Sequence, residues 1–229
     1  MIAAKFGGSS LADAAQFKQV RSIVRADSKR AYIIPSAPGK RFDGDDKVTD
    51  LLYQCQALQA AGQPFDAPFA AICARYTEIA AALHLTVDLA GALGEVQRAI
   101  AAGVGADYCA SRGEYLCGLL LADFLKLPFV DPQGCIFFDG DGLLLAQRTN
   151  DALAEALQGL QGAIIPGFYG SGPDGAVHTF SRGGSDITGA LVARAVRAEV
   201  YENWTDVSGF LMADPRVVQD PQPIRHITY

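Results

Sequence analysis

Short apolar runs alternate along the chain with longer segments in which apolar residues recur at helical spacing. The short runs predict buried strands and the longer segments predict amphipathic helices. The predicted strands are residues 2–6, 31–36, 128–131, 163–165 and 199–203. Four predicted helices cover residues 63–83, 89–102, 107–125 and 152–160. Three more are predicted to start near residue 13, at residue 49 and after residue 185. Because strands and helices alternate, we expect an α/β protein, a three-layer α/β/α sandwich with a mostly parallel central sheet.

Turn residues predict the remaining segments. Residues 135–138 and 143–145 flank the sequence D-G-D-G at 139–142 and predict a hairpin, and residues 177–180 predict a further strand. The D-G-D-G sequence lacks the other ligand positions of a calcium loop, so no metal is assigned to it. Residues 40–47 are charged and contain glycine, which predicts an exposed, mobile loop.

A glycine-rich turn before the helix that follows residue 185 has the character of a binding site. Gly183 and Gly184 allow a ligand to approach the backbone closely, and Ser185 or Asp186 can cap the helix. Arg182 can clasp a carboxylate with two parallel hydrogen bonds, and Asp186 supplies the opposite charge for an ammonium. Such a site suits a zwitterionic amino acid. The alternative is a solvated glycine turn with an arginine on its rim.

The first predicted strand ends at a second glycine turn, at Gly7, Gly8 and Ser9. Strand, glycine loop and helix is the arrangement that places backbone amides around a phosphate. Lys5, at the end of the strand, would add a positive charge for that phosphate. The alternative, a tight turn with a solvated Lys5, is about equally favoured by these residues alone.

A third candidate lies near the start of the predicted helix 107–125. Gly113 costs about 1 kcal/mol relative to alanine inside a helix. Its presence indicates that something packs closely there, and a ligand in that place would make Glu114 a binding acid. The alternative is a surface Glu114 paired with Arg112 or Lys126. His84 has no second histidine or cysteine at metal-binding spacing and is assigned to a helix end.

The candidate turns all follow the carboxyl ends of predicted strands. In open parallel sheets, ligands bind beyond those ends. The turns after residues 6, 36, 165 and 203 should therefore meet at one edge of the sheet. This convergence favours a binding or catalytic role for them more than any single motif does.

Composition narrows the range of partners. The 229 residues suit one large domain, and 50% hydrophobic residues allow a sizeable core. The net charge of −6 argues against nucleic acid as a partner. The five cysteines include no C-x-x-C pair, which is typical of reduced thiols.

Targeting signals are not predicted. The glycines at positions 7 and 8 come too early for a signal peptide, and the most apolar run, 115–125, is short and contains Asp123. We therefore expect a cytoplasmic protein without a membrane partner. The oligomeric state stays open, a homo-oligomer included.

These motifs together resemble those of the aspartate kinases, whose catalytic domain has the amino acid kinase fold. The matching blocks run in family order over nearly the whole chain. They are K-F-G-G-S-S at 5–10, Ser36 with T-D-L-L at 49–52, S-R-G-E at 111–114, P-G-F at 166–168, R-G-G-S-D at 182–186, and W-T-D-V at 204–207 with A-D-P-R at 213–216. The S-x-G-E and R-G-G-S-D blocks are the specific ones.

The resemblance implies a role for each matching residue. Substrate carboxylates would be held by Arg182, assisted by Ser36 and Thr49, within a turn formed by Gly183, Gly184 and Ser185. The substrate ammonium would face Glu114 and Asp186, and Lys5 and Asp186 are the implied catalytic pair. Lys5 and the amides of Gly7, Gly8 and Ser9 would gather the phosphates. The nucleotide would be bound by Thr205, Asp206 and Arg216.

The activity that the resemblance implies is phosphoryl transfer from ATP, with Mg²⁺, to the β-carboxylate of L-aspartate. This reaction is the first step towards lysine, threonine and methionine. Two alternatives stay open. One is a related kinase acting on glutamate, acetylglutamate or UMP, and the other is a non-catalytic core that binds an amino acid or a nucleotide. Family members usually continue into ACT-type regulatory domains. We therefore expect residues 1–229 to be a catalytic domain cut short at its carboxyl end.

Overall fold

The computed structural model describes residues 1–181, 183–206, 209, 212–213, 217–222 and 224. Its strands are β1 (Ile2–Phe6), β2 (Arg30–Pro35), β3 (Ala163–Ile164), β4 (Tyr169–Ser171), β5 (Val177–Thr179) and β6 (Val200–Trp204). Its α-helices are α1 (Ala14–Ala26), α2 (Val48–Ala60), α3 (Asp66–Ala82), α4 (Leu89–Ala101), α5 (Ala106–Leu125), α6 (Ala146–Ala156) and α7 (Gly184–Ala195). Short 3₁₀ turns cover Gly8–Leu11 and Pro132–Gly134.

The main sheet has the strand order β3-β2-β1-β6, and every neighbouring pair in it is parallel. Strand β1 is central because each of its residues is buried and it pairs with a strand on both sides. β4 and β5 form a separate antiparallel ribbon. The predicted mostly parallel α/β architecture is confirmed.

Alternate residues of the strands face two different hydrophobic cores. Ala4, Phe6 and Ile33 pack with helices α1 to α5 on one side of the sheet. Ala3 and Ile34 pack with α6 and α7 on the other side. Because successive side chains of a strand point to opposite faces, this division makes the three layers of the expected sandwich.

Local sequence signals explain several helix boundaries. The Asp13 side chain accepts a hydrogen bond from the backbone N–H of Gln16 at 2.9 Å and caps α1, and Asp88 caps α4 in the same way through Gly91. The helix α5 ends at Lys126, whose left-handed backbone (φ 57°) stops the helix.

Three predicted segments differ from the structure. The strand predicted at 128–131 is reduced to a single bridge between Phe129 and Ile164, next to Pro128, which has no N–H to donate. The helix predicted at 152–160 starts earlier, at Ala146, and ends at Ala156. The expected hairpin around 139–142 is present as one antiparallel bridge, Phe138 with Leu144.

Candidate active site

A cavity of about 460 Å³ lies beyond the carboxyl ends of β1 and β2. Its lining includes six residues of the sequence-predicted site: Gly8, Ser9, Ser36, Thr49, Glu114 and Asp206. They come from five separate stretches of the chain, so the fold brings together what the sequence separates. The convergence at one sheet edge is therefore confirmed for the turns after residues 6, 36 and 203, whereas the turn after residue 165 does not line this cavity.

Strand β1 carries Lys5 to this edge, where its ammonium lies 2.8 Å from the Asp186 carboxylate. Asp186 also accepts a hydrogen bond from the side-chain amide of Asn203 at 3.1 Å. Gly7 follows β1 and donates its backbone N–H to the carbonyl of Trp204 at 3.0 Å. These contacts tie the ends of β1 and β6 to the first turn of α7.

The start of α7 is not capped as predicted. Its N-cap is Gly183, in the left-handed conformation (φ 59°), and no side chain caps the helix. Ser185 instead packs against Gly167, where an added Cβ would meet its hydroxyl at 2.5 Å. Asp186 is the third residue of the helix and so does not occupy the N-cap position, and its carboxylate pairs with Lys5.

The turn at 166–168 is held against this helix. Phe168 has a positive φ of 83°, which is uncommon for a bulky residue and costs on the order of 1–3 kcal/mol. Its backbone N–H donates to the Thr188 hydroxyl, and that hydroxyl donates to the carbonyl of Gly184. A strained backbone kept by specific hydrogen bonds is a feature of functional turns.

Glu114 occupies the cavity wall although it is 6% exposed. Burial raises the pKa of its carboxyl to about 7, and the backbone amide of Ala37 offsets only part of that effect. One carboxylate oxygen, Oε2, is buried without a hydrogen-bond partner among the described residues. A buried carboxyl that faces a cavity in this way suits a cationic ligand group.

The neighbouring Gly113 explains how Glu114 reaches the cavity. A Cβ on Gly113 would lie 2.7 Å from the Cβ of Ala37, in the loop after β2. The close packing inferred at Gly113 is therefore confirmed, and its partner is a protein segment. The alternative of a surface Glu114 is wrong, because α5 packs too closely on that loop.

The lining also includes two residues that the sequence reasoning missed, Lys40 and Lys47. Both belong to the loop predicted to be exposed at 40–47, and that prediction is wrong for Asp45, which is 8% exposed. Asp45 forms ion pairs with Arg41 and with the buried Arg75. The T-D-L-L block after Lys47 was the available signal, because it places the end of this loop beside Thr49.

The cavity lining does not include the other described residues of the predicted site, which are Lys5, Gly7, Gly183, Gly184, Ser185, Asp186 and Thr205. The Thr205 hydroxyl donates to the Asp206 carboxylate at 3.1 Å, and both residues are exposed. Arg182 and Arg216 lie outside the described residues. His84 follows α3 with a φ of 53°, the helix-end position that was predicted.

A second cavity, of about 530 Å³, lies at the amino ends of the strands, near Met1, Lys29 and Tyr32. It contains none of the predicted site residues. The edge at which the motifs meet is therefore the candidate active site, in agreement with the rule for parallel sheets.

Comparison with known proteins decides the family. The model of the Amino acid kinase family matches residues 1–229. The chain belongs to the amino acid kinase family. Among its relatives, it is 36% identical to aspartokinase 3 of Bacillus subtilis over 247 residues, which cover 98% of this chain and 53% of the relative.

Solved structures agree with this assignment. The chain superposes on Clostridium acetobutylicum aspartate kinase with a TM-score of 0.91 at 52% identity, covering 96% of this chain and 51% of that one. It superposes on Escherichia coli aspartokinase III in complex with aspartate and ADP with a TM-score of 0.81 at 26% identity, covering 98% of this chain and 53% of that one. The chain thus spans about half the length of the relatives it matches. Among the described residues, no helix is long and apolar enough to cross a membrane.

Proposed function

We propose that residues 1–229 form an amino acid kinase catalytic domain that transfers the γ-phosphoryl group of ATP to the β-carboxylate of L-aspartate. The product is 4-phospho-L-aspartate, the first intermediate towards lysine, threonine and methionine. The observation that carries this proposal is Glu114, a buried carboxyl with an oxygen that has no partner among the described residues, in a cavity that Gly8, Ser9 and two lysines also line. The cavity therefore offers an anion for the amino acid's ammonium and cations for phosphates.

The acceptor would be oriented at both of its charged ends. Its ammonium binds Glu114, while Ser36 and Thr49 donate hydroxyl hydrogen bonds to a carboxylate. Arg182 is assigned to the substrate carboxylates by resemblance, within the turn of Gly183, Gly184 and Ser185. A substrate that lacks the ammonium leaves Glu114 buried without a counter-charge, which weakens its binding.

The chemical step needs positioning and positive charge. A β-carboxylate oxygen attacks the γ-phosphorus, and the bond from that phosphorus to the oxygen shared with the β-phosphate breaks. The electron pair of this bond leaves with ADP. No proton moves, since the carboxylate with its ordinary pKa of about 3.9 is already ionised. The barrier is repulsion between anions, which Lys5 and the amides of Gly7, Gly8 and Ser9 relieve.

The nucleotide is assigned to the Trp204 end of β6, next to Thr205 and Asp206, with Arg216 on its phosphates. Among the described residues, no cluster of three or more acidic, histidine or cysteine side chains could hold a metal ion. Mg²⁺ usually binds through substrate phosphates and one or two carboxylates. Asp206 in the cavity lining fits that role, and the ion would neutralise phosphate charge.

The pairing of Lys5 with Asp186 supports a catalytic assignment for both. Asp186 holds the ammonium at the end of β1, and the phosphoryl group in transit would attract the same ammonium. All five cysteines of the sequence lie among the described residues and are free thiols, which supports a cytoplasmic location.

A coupled assay for ADP formation tests the acceptor. The chain, MgATP and equal concentrations of L-aspartate, L-glutamate, acetylglutamate or UMP are compared. We expect ADP formation that depends on L-aspartate and is at least about 100-fold slower with the other acceptors, because a mismatched buried charge costs several kcal/mol. Preference for another acceptor would contradict the aspartate assignment. Binding of aspartate and ATP without turnover would favour a non-catalytic core.

A further inference from the structure

The loop from Gly39 to Lys47 is fastened to helix α3 by a buried ion pair. The Arg75 guanidinium, on α3, lies 2.5 Å from the Asp45 carboxylate through its Nη2 atom. Arg75 is 4% exposed and Asp45 is 8% exposed. Water hardly screens this pair, so it constrains the loop more strongly than a surface ion pair would.

Arg75 also binds the backbone of the cavity wall. Its Nη1 atom donates to the carbonyl of Gly39 at 2.8 Å and to that of Ala12 at 3.4 Å. The N–H of Gly39 donates in turn to the carbonyl of Gly8 at 2.8 Å. A Cβ on Gly39 would lie 2.7 Å from the carbonyl carbon of Gly8, so only glycine fits there. Arg75 thus ties the loop to the turn that is assigned to the phosphates.

Asp45 organises the loop from within. It accepts hydrogen bonds from the backbone N–H of Arg41 at 2.9 Å and from that residue's Nε and Nη2 atoms at 2.9 and 3.0 Å. The side-chain hydrogen bonds from Arg41, with the nearby charge of Arg75, keep the pKa of Asp45 well below its usual range. The carboxylate therefore stays charged, and the loop stays closed around it, at neutral pH.

Two lysines flank this fastened loop. Lys40 follows Gly39 directly, Lys47 comes two residues after Asp45, and both line the cavity. Both lysines are exposed, and because a lysine side chain is long and flexible, the backbone position of the loop decides whether it reaches the cavity. The other charged residues that line the cavity are Glu114 and Asp206.

We infer that Arg75, through Asp45 and Gly39, is a positioning residue that holds Lys40 and Lys47 at the cavity to bind the phosphoryl group in transfer. The inference rests on the proposed function and assigns a positive charge that the family motifs do not include. Two ammonium groups at the cavity, in addition to that of Lys5, would reduce repulsion between the nucleotide and the acceptor.

The test compares Asp45→Asn and Arg75→Lys with the wild-type chain. Asp45→Asn keeps the shape of the side chain and removes its charge, and Arg75→Lys keeps the charge but loses the fork that spans Asp45 and Gly39. The matched control is Asp123→Asn, away from the cavity. Asp123 is another partly buried aspartate in an ion pair, with Lys126, and it accepts hydrogen bonds from the backbone N–H groups of Thr86 and Val87. The substitution removes its charge and weakens these contacts. Thermal unfolding of all variants measures their loss of stability.

Kinetics is the first readout. We expect both loop variants to lower kcat/KM for MgATP by about 10- to 100-fold, as for a misplaced catalytic group. The kcat/KM of the control should stay within about two-fold of the wild-type value, even at an equal loss of stability, because its site geometry is intact. Loop variants that behave like the control would show that Arg75 is merely structural.

Lysine labelling is the second readout and needs no turnover. The chain is acetylated with an amine-reactive ester in the presence or absence of a non-hydrolysable MgATP analogue, and each lysine is followed by mass spectrometry. We expect protection of Lys40 and Lys47 in the wild type and in Asp123→Asn, and its loss in Asp45→Asn. The exposed Lys18 and Lys29 should react equally throughout.

The two readouts separate the two claims. Protected lysines without aspartate-dependent turnover would refute the aspartate assignment and keep the role of the loop. Turnover with unprotected Lys40 and Lys47 would refute the role of the loop and keep the proposed function.

Discussion

The Lys5 ammonium lies 2.8 Å from the Asp186 carboxylate, and this contact joins the central strand β1 to the first turn of α7. The Lys5 side chain is 11% exposed, whereas that of Asp186 is 48% exposed. The lysine therefore sits inside the sheet edge with its counter-ion on the open side. An anionic substrate that approaches this edge meets a cation whose position is already fixed.

The Lys5→Ala variant tests the role of that cation. We expect it to lower kcat by about 100-fold or more, as the loss of one transition-state donor does, with little change in the KM for aspartate. The matched control is Lys29→Ala, which breaks an exposed ion pair with Glu199 at the far end of the sheet. Steady-state kinetics measures both. An unchanged kcat with a raised KM for aspartate would assign Lys5 to the acceptor instead.

Glu114 should make aspartate binding depend on pH. Burial raises the pKa of its carboxyl to about 7 in the free protein, and only the ionised form attracts an ammonium. The affinity for aspartate should therefore rise as the pH increases from about 6 to about 8. Isothermal titration calorimetry with aspartate at several pH values measures this affinity for the wild type and for Glu114→Gln.

In the Glu114→Gln variant, aspartate should bind more weakly and without this rise. The exposed Glu155→Gln should keep the wild-type profile. A Glu114→Gln variant with the full wild-type pH dependence would show that another group is responsible.

The same carboxyl should affect stability. Its pKa in the folded state, about 7, lies above the ordinary glutamate pKa of 4.5, so the folded chain binds the proton more tightly. This contribution is fully present below pH 4.5 and is lost as the pH rises through about 7, a change of at most about 3 kcal/mol. Urea unfolding at several pH values between 5 and 8 measures this change. The free energy of unfolding should fall less with rising pH in Glu114→Gln than in the wild type. Equal slopes would mean that Glu114 is ionised at its ordinary pKa.

Gly113 gives a packing prediction. Alanine is the better helix former by about 1 kcal/mol, yet Gly113→Ala should lower the free energy of unfolding by about 1–3 kcal/mol. The reason is the distance of 2.7 Å between an added Cβ and the Cβ of Ala37. In α4, Gly94→Ala meets only the flexible end of Arg98, at 3.3 Å, and should be neutral or stabilising.

A double variant sharpens that test. Ala37→Gly removes the opposing methyl group, so combining it with Gly113→Ala should recover part of the lost stability. Additive losses in the double variant would show that the clash with Ala37 is not the cause.

Local sequence patterns predicted most of the strands, helices and turns of this molecule. The buried run of β1, the glycines that follow it and the apolar spacing of α5 are all properties of neighbouring residues, and the structure keeps them. Since the strands are parallel, their carboxyl ends meet at one edge. Ser36 could therefore be assigned to that edge from the sequence, whereas Thr49 and Glu114, which lie in helices, were assigned to the same site by the resemblance to aspartate kinases.

Long-range charge pairs account for what the sequence did not predict. Asp45 and Arg75 belong to different elements, and nothing in either local sequence indicates that they meet. The loop at 40–47 is exposed as predicted except at Asp45, but nothing in its sequence indicates that Lys40 and Lys47 line the cavity. In the same way, Asp186 has the sequence position of a helix cap but is held by Lys5 from the other end of the chain.

The most direct measurement is to trap the acyl phosphate. The chain is incubated with MgATP, L-aspartate and hydroxylamine, which converts an aspartyl phosphate into a hydroxamate, and the product is identified by mass spectrometry. The account predicts the β-hydroxamate of aspartate, formed in step with ADP and reduced by about 100-fold or more in Lys5→Ala. ADP released without hydroxamate, or a hydroxamate formed equally fast from glutamate, would contradict it.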